Sequence, residues 1–238
     1  MLELRGVEKR FGGLQAVAGV SLAIEAGGIV GLIGRNGAGK TTVFNLVAGR
    51  YFPTAGSVLF DGRDITREPA ERRALAGIAR TFQIPEPLSS MDVLSNVMVG
   101  AFAHAVTRRE AEALAHEVLE RTGLAAKARL RASELTVPDL RRLEVARALA
   151  TKPRLLLLDE AMAGLRPSEV DDAMALCRAV REAGVTLIVV EHVMYAVMNL
   201  CDRVVVMDQG RVIADGTPRD IGTNRTVIDA YLGREHAA

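Results

Sequence analysis

Apolar residues along this chain occur in short, unbroken runs that alternate with amphipathic segments. Runs rich in Val, Ile and Leu, bounded by Gly, Pro or charged residues, predict buried strands at residues 29–33, 155–158, 186–190 and 204–207. Helical periodicity lies between them, at residues 39–48, 141–151 and 168–183. Alternating strands and helices are typical of βαβ units, so the pattern predicts an α/β fold with a mostly parallel central sheet.

The N-terminal part and one internal segment follow different patterns. Residues 2–7, 20–24 and 58–60 predict half-buried strands with turn signals between them, which favours a small antiparallel β layer. Residues 85 to about 135 show helical periodicity and little strand signal, with a clear amphipathic helix from Thr107 to Arg121. We therefore predict one domain over residues 1–238, with a helical insert at about residues 85–150.

Composition and charge narrow the classes of function. Hydrophobic residues make up 49% of the chain but aromatic residues only 4%, so the core is expected to be aliphatic. A net charge of +1 gives no electrostatic footprint for nucleic acid and no polybasic patch for a membrane. Cys177 and Cys201 lie among apolar residues without metal-ligand spacing, so they are expected to be buried thiols.

Nothing in the hydrophobic pattern predicts insertion into a membrane. The first residues, MLELR, lack the charged start and long apolar stretch of a signal peptide, so a cytoplasmic location is expected. The longest apolar runs are far shorter than the roughly 20 residues that cross a bilayer. Membrane association is therefore expected to come through a partner.

The strongest chemical signal is a glycine-rich stretch between the strand at 29–33 and the helix at 39–48. It matches the phosphate-loop pattern and consists of Gly34, Arg35, Asn36, Gly37, Ala38, Gly39, Lys40, Thr41 and Thr42. Glycines let successive backbone N–H groups face an anion, and the helix N-terminus adds its dipole. Lys40 is expected to reach the β- and γ-phosphates of ATP, and the Thr41 hydroxyl to ligate Mg²⁺.

Two carboxylates directly follow the predicted strand at 155–158. Taken alone, Asp159 and Glu160 are an ordinary exit from a strand, but the phosphate loop upstream favours a Mg-nucleotide site. Asp159 would then hold the Mg²⁺ shell, and Glu160 would polarise the attacking water as general base.

Two further residues complete a more specific pattern, because Gln83 and His192 each follow a predicted strand. With them the chain resembles an ABC-type ATPase from residue 1 to about residue 216, which implies a phosphate-loop NTPase core. By that resemblance Gln83 would contact Mg²⁺ or the lytic water and signal to a membrane partner, and His192 would contact the γ-phosphate. Phe11 falls where the family places a ring that stacks on adenine, although an isolated Phe also suits core packing.

Softer signals indicate a subfamily. The stretches RTFQ at 80–83, MDVLSNVMVG at 91–100, AGLRP at 163–167 and AYLG at 230–233 resemble the ATP-binding subunits of branched-chain amino acid importers. The resemblance implies a peripheral location on the inner face of the membrane, bound to membrane-spanning permease subunits. It also implies a second ATP-binding subunit and, indirectly, a solute-binding protein. It cannot fix the solute.

The chain departs from the family at two places. ABC ATPases close each ATP site with a Leu-Ser-Gly-Gly-Gln-type signature from the opposite subunit, and here that stretch is LTVPD at 135–139. Thr136 keeps a hydroxyl, but Pro138 has no N–H to give, Val137 adds a branched side chain in place of a glycine, and Asp139 adds negative charge near a polyanion. Pro and Asp also suit the start of a helix, so a signature reduced to a helix start is the alternative to a retuned clamp. We therefore expect a different subunit with a regular signature as the partner, with a homodimer as the alternative. The second departure is Arg166, which we expect to point into solvent.

The leading hypothesis is thus an ATP-hydrolysing subunit that energises a membrane importer. A soluble ABC ATPase that acts on nucleic acid or the ribosome is the alternative, but no basic patch, paired domain or long coiled-coil insert supports it. A phosphate-loop kinase would leave Gln83 and His192 unexplained.

Overall fold

The polypeptide builds two β-sheets with helices packed around them. The structure is a computed structural model and describes residues 1–82 and 85–232. In chain order its strands are β1 Leu2–Phe11, β2 Leu14–Ile24, β3 Ile29–Ile33, β4 Ala55–Phe60, β5 Arg63–Asp64, β6 Ile78–Arg80, β7 Leu155–Asp159, β8 Thr186–Val190, β9 Arg203–Asp208 and β10 Arg211–Gly216. The predicted strand positions are confirmed, with changes only at their ends.

The larger sheet has the order β10-β9-β3-β8-β7-β6 and is parallel except for the β9–β10 hairpin. Its strands β3, β7 and β8 are buried along their full length, as expected for continuous aliphatic runs covered on both faces. Alternate residues serve opposite faces: Leu155 and Leu157 pack in one core cluster, whereas Leu156 and Leu158 pack in the other.

The smaller sheet is antiparallel and has the order β2-β1-β4-β5. Leu4 of β1 lies opposite Leu22 of β2 and Val58 of β4, and all three side chains are buried. They face a core shared with one side of the larger sheet. The predicted antiparallel layer is therefore confirmed.

Helices cover both faces of the larger sheet. Their bounds are α1 Lys40–Val47, α2 Ala70–Leu75, α3 Val93–Ala101, α4 Arg108–Arg121, α5 Val137–Ala150, α6 Pro167–Glu182, α7 Met194–Leu200, α8 Pro218–Thr223 and α9 Arg225–Leu232, with 3-10 helices at Ala125–Lys127 and Ala132–Glu134. No helix within the described residues is both long and apolar enough to cross a membrane.

The predicted helical insert, about residues 85–150, contains α3, α4 and α5. Helix α4 begins at a capping box, in which Thr107 and Glu110 satisfy each other's backbone N–H groups. Helices α3 and α5 approach closely at Gly100, where an added Cβ would lie 2.3 Å from the Arg147 carbonyl oxygen. The α/β fold with an inserted helical subdomain is therefore confirmed.

Candidate functional site

The predicted phosphate loop connects β3 to α1 and is wedged between two neighbouring backbones. A Cβ added to Gly34 would lie 2.2 Å from the Met207 carbonyl oxygen, and one added to Gly39 would lie 2.5 Å from that of Ala16. Gly39 also has a φ of 101°, in the left-handed region, where it precedes the first residue of α1. Glycine is therefore required at both positions, by space and by conformation.

Lys40 is the first residue of α1 and its side chain is buried against the loop. Its Nζ donates to the carbonyl oxygens of Gly34, at 2.6 Å, and Arg35, at 3.1 Å. Burial lowers the pKa of Lys40, and the nearby carboxylates of Glu160 and Asp159 oppose that shift. The ammonium group is thus already directed into the loop, in the position that phosphate oxygens would require.

Asp159 is the last residue of β7, and only 1% of it is exposed. Burial raises the pKa of its carboxyl, and the guanidinium of Arg80, 3.5 Å from Oδ2, partly opposes that shift. The other oxygen, Oδ1, has no hydrogen-bond partner among the described residues. A buried carboxylate oxygen without a partner, close to Lys40, fits the coordination shell of Mg²⁺.

Glu160 and His192 form a pair at the ends of two adjacent parallel strands. Because Asp159 of β7 is aligned with Val190 of β8, the residues that follow them are brought together. The Nε2 atom of His192 lies 3.1 Å from Oε1 of Glu160. The backbone of Glu160 has a φ of 51°, and its N–H donates to the Val190 carbonyl at 2.9 Å. The strained conformation turns the carboxylate towards the phosphate loop.

The loop and the Glu160–His192 pair line one cavity of about 790 Å³. Most of the predicted residues contribute to its wall, which is formed by Phe11, Leu14, Gln15, Ala16, Asn36, Gly37, Ala38, Gly39, Lys40, Thr41, Thr42, Glu160, His192 and Gln209. Gly34 lies beneath this wall, and Arg35 contributes its carbonyl to Lys40. The cavity thus unites segments separated by more than 150 residues.

Phe11 lies at the edge of this cavity and not in the core, since 41% of it is exposed. The Phe11 ring makes an edge contact with Tyr51, with ring centroids 5.2 Å apart, and Lys9 Nζ lies 5.1 Å from its centroid. This placement suits a ring that stacks on a base, which stays a prediction.

Gln83, predicted to contact Mg²⁺ or the lytic water, lies outside the described residues. Its neighbours are ordered around Arg80. The Arg80 guanidinium lies 4.8 Å from the centroid of the Phe82 ring and donates to Asn45 Oδ1 at 2.5 Å, besides pairing with Asp159.

Sequence reasoning missed the contribution of the β9–β10 turn and of β2. Gln209 lines the cavity with a φ of 45°, and the N–H of Gly210 donates to the Ala38 carbonyl at 3.0 Å. No local motif marks these residues. Only the pairing of β9 with β3 brings them beside the loop.

The start of α5 corrects one expectation. Asp139 does not project its charge, because it is 6% exposed and its Oδ2 lies 2.5 Å from Lys127 Nζ. The Thr136 hydroxyl also donates to Oδ2, at 2.6 Å. Burial opposes ionisation, but these two hydrogen bonds hold the pKa of Asp139 below its usual value. The hydroxyl and the carboxylate of this stretch therefore satisfy each other.

The Arg166 side chain is 82% exposed in the single chain, which fits both the expected solvent-facing position and a contact across a dimer. It is paired with Glu169 in the first turn of α6, where Oε1 accepts from the Arg166 Nε at 2.9 Å.

Two protein families match this chain. The ABC transporter family matches residues 17–163, and the branched-chain amino acid ATP-binding cassette transporter family matches residues 211–237.

Individual relatives agree with this match. The chain is 43% identical to the high-affinity branched-chain amino acid transport ATP-binding protein BraF of Pseudomonas aeruginosa, with 98% of each sequence covered. It is 41% identical to the corresponding protein LivG of Escherichia coli, also with 98% of each covered. A solved nucleotide-free ATP-binding cassette from an ABC transporter superposes with a TM-score of 0.90 at 29% identity, covering 98% of this chain and 99% of that one. A cassette solved in its ADP conformation gives a TM-score of 0.89 with 98% of each chain covered.

Proposed function

This chain belongs to the ABC transporter family, as an ATP-binding ATPase subunit, and from that premise we propose that it energises an importer of branched-chain or related amino acids. The observation that carries the proposal is the cavity in which the phosphate loop faces Glu160 and His192. Relatives that share 41–43% of its residues over nearly their full length are named for branched-chain amino acid transport. The near-neutral charge gives no support to the nucleic-acid alternative.

In the proposed mechanism the chain binds ATP with its triphosphate along residues 34–42. The backbone N–H groups at the start of α1 and the Lys40 ammonium compensate the phosphate charge. Phe11 stacks on the adenine at the other end of the cavity.

Hydrolysis then requires an activated water beside the γ-phosphate. Glu160 accepts the proton of this water, and His192, 3.1 Å from its Oε1, holds that carboxylate in place and contacts the γ-phosphate. When bound, Mg²⁺ would neutralise phosphate charge, and Thr41, Gln83 and Asp159 are the residues that would hold it or its water shell.

As a transporter ATPase the chain works with membrane permease subunits, and through them we place it on the inner face of the membrane. Arg80 pairs with Asp159 and contacts the Phe82 ring, and the chain continues from there into the helical insert. These contacts support a role for the adjoining Gln83 in coupling the ATP site to the insert. A solute-binding protein would contact the permeases and not this chain.

We further propose that the partner ATPase subunit is a different protein with a regular signature. The stretch 135–139 has Pro138 without an N–H, and its only hydroxyl is committed to Asp139, which is itself paired with Lys127. These groups are tied to one another and are not directed at a ligand. The site built on Lys40 and Glu160 would then be closed by the partner's signature, and the opposite site would turn over slowly.

The test of this function is Glu160→Gln in the transporter assembled with its membrane subunits. The amide keeps size and hydrogen bonding but cannot accept a proton, so ATP should bind while turnover falls about 10²-fold or more. Turnover at the wild-type rate would exclude Glu160 as the base.

The matching substitution in the second ATPase subunit tests the asymmetry. Loss of the general base of the second subunit should reduce turnover far less than Glu160→Gln does. Equal losses, or a fully active homodimer of this chain, would contradict the heterodimer.

A further inference from the structure

A second carboxylate lies directly behind the Glu160–His192 pair. Glu191 follows β8, immediately before His192, and only 2% of it is exposed. Glutamate is rarely buried so completely unless a partner compensates for its lost hydration. The mechanism described above gives this side chain no role.

The contacts of Glu191 join the two catalytic segments. Its Oε1 accepts a hydrogen bond from the backbone N–H of Met162, at 2.8 Å. Met162 is two residues beyond Glu160 and is itself buried. The backbone N–H of the adjoining His192 helps to lower the pKa of this carboxyl, against the effect of burial. One side chain therefore binds the loop that carries Glu160 and the strand end that carries His192.

This link matters because the Glu160 backbone is in a sparsely populated conformation. Its φ of 51° needs support from the surrounding structure. The Val190 carbonyl accepts the Glu160 N–H, and the Ala163 N–H closes the turn onto the Glu160 carbonyl at 3.2 Å. Glu191 holds the same turn from its middle residue, Met162. Without it, the turn would lose the hydrogen bond that connects it to the residue preceding His192.

A purely structural role would be met by any group that accepts one hydrogen bond. Glu191 is a costly choice for that task, because burial raises its pKa to about 7 and its Oε2 has no hydrogen-bond partner among the described residues. The charge of Glu160 raises that pKa further, and the charge of Arg141 opposes the shift. By its contact with Met162, the Glu191 carboxylate lies between the Glu160 turn and the strand end that carries His192.

We propose that Glu191 is a positioning residue for ATP hydrolysis, which fixes the Glu160 turn relative to His192 through the Met162 N–H. It touches neither phosphate nor water. It acts by setting the place of the general base, so it should affect the chemical step and not the binding of nucleotide. The inference rests on the proposed roles of Glu160 and His192.

Three substitutions in the assembled transporter test this role. Glu191→Leu removes both acceptors at similar volume, Glu191→Gln keeps one acceptor, and Thr122→Val is the control. Thr122 is equally buried, and its hydroxyl donates to the Val118 carbonyl at 2.9 Å, far along the chain from the site. Misplacing a catalytic group by about 1 Å can cost 10²-fold in rate.

We expect Glu191→Leu to lower kcat by about 10- to 100-fold while the KM for ATP changes by less than about threefold. Glu191→Gln should restore kcat to within about threefold of wild type, and Thr122→Val should leave both constants unchanged. A kcat for Glu191→Leu equal to that of Thr122→Val would overturn the inference, as would equal effects on kcat and KM.

If Glu191→Leu does not fold, Glu191→Asp decides the question. Aspartate keeps the carboxylate but withdraws it by one methylene, so kcat should fall with KM unchanged, and wild-type kcat would overturn the inference. Glu160→Gln is measured beside these variants. Normal turnover of Glu160→Gln would refute the proposed site itself, whereas an inactive Glu160→Gln with a normal Glu191→Leu would refute only the role of Glu191.

Discussion

The buried Arg73 offers the sharpest prediction about what holds the phosphate-loop helix in place. Its side chain is 0% exposed, and its guanidinium donates five hydrogen bonds to backbone carbonyls. The acceptors include Leu46 at 2.6 Å and Val47 at 3.0 Å, in the last turn of α1. The remaining acceptors are the carbonyl oxygens of Ile65, Thr66 and Glu68. Arg73 thus satisfies the carbonyl end of the helix that begins with Lys40.

Arg73→Met should destabilise the fold by about 5 kcal/mol, because five carbonyls lose a charged donor at about 1 kcal/mol or more each. Burial lowers the pKa of Arg73 to about 10, so the group remains charged near pH 7 and its loss removes charge-assisted bonds. For a chain of this length such a loss corresponds to a fall in Tm of roughly 10–20 °C.

The matched control is Arg72→Met, since Arg72 is the neighbouring residue of α2 and is exposed. Its effect should stay within about 0.5 kcal/mol of zero. Thermal and denaturant unfolding of both variants measure the difference. If the free energies of unfolding of Arg73→Met and Arg72→Met differed by less than about 1 kcal/mol, water would have replaced the guanidinium as the donor to the carbonyls. That result would contradict a stabilising role for Arg73.

Three further predictions address the cavity and the helical insert. Lys40→Ala should weaken Mg-ATP binding by roughly 10- to 100-fold, since it removes a charged donor to phosphate, and unchanged affinity in a titration would refute the phosphate-loop assignment. Phe11→Ala should weaken the binding of ATP by about 1–3 kcal/mol but leave the binding of inorganic triphosphate unaffected. Equal losses of affinity for the two ligands would refute stacking. Burial raises the pKa of Glu144 from 4.5 to about 7. Between these two pH values Glu144 ionises only in the unfolded state. This group should therefore lower the free energy of unfolding by up to about 3 kcal/mol as pH rises from 4.5 through 7. Glu144→Gln should make this slope shallower, while Glu191 keeps its own contribution over the same pH window, and parallel pH profiles for the two proteins would contradict the prediction.

The sequence predicted the elements in which local pattern and tertiary packing agree. The run Ile29–Ile33 is apolar at every position and is buried at every position, so its strand followed from composition alone. The glycine spacing then determined the loop, because Gly34 and Gly39 occupy places that a Cβ cannot enter. Asp159, Glu160 and His192 were found because they end such runs.

Elements with mixed patterns were predicted less well. The apolar pattern of helix α5 begins near residue 141, but the helix starts at Val137, where Pro138 lies in its first turn, as the helix-start alternative for residues 135–139 expected. Strand β10 was not predicted, since its residues are only partly buried and it depends on pairing with β9.

Contacts between distant residues that belong to no recognisable motif could not be predicted. Lys127 and Asp139 are twelve residues apart in separate helices, and only the fold of the insert places them in contact. For the same reason we expected a negative charge at Asp139 that the folded chain does not present. Met162 and Glu191 are 29 residues apart and meet only because β7 and β8 are neighbours.

We propose that ATP hydrolysis at Glu160 drives import, and a transport assay measures this coupling itself. The chain would be reconstituted with its membrane subunits, its partner ATPase and the solute-binding protein in vesicles, and uptake of a labelled branched-chain amino acid would be measured with ATP on the side of the ATPases. We predict ATP-dependent uptake that Glu160→Gln in this chain abolishes together with hydrolysis. Uptake that continued with Glu160→Gln, or hydrolysis without any uptake of such amino acids, would contradict the account.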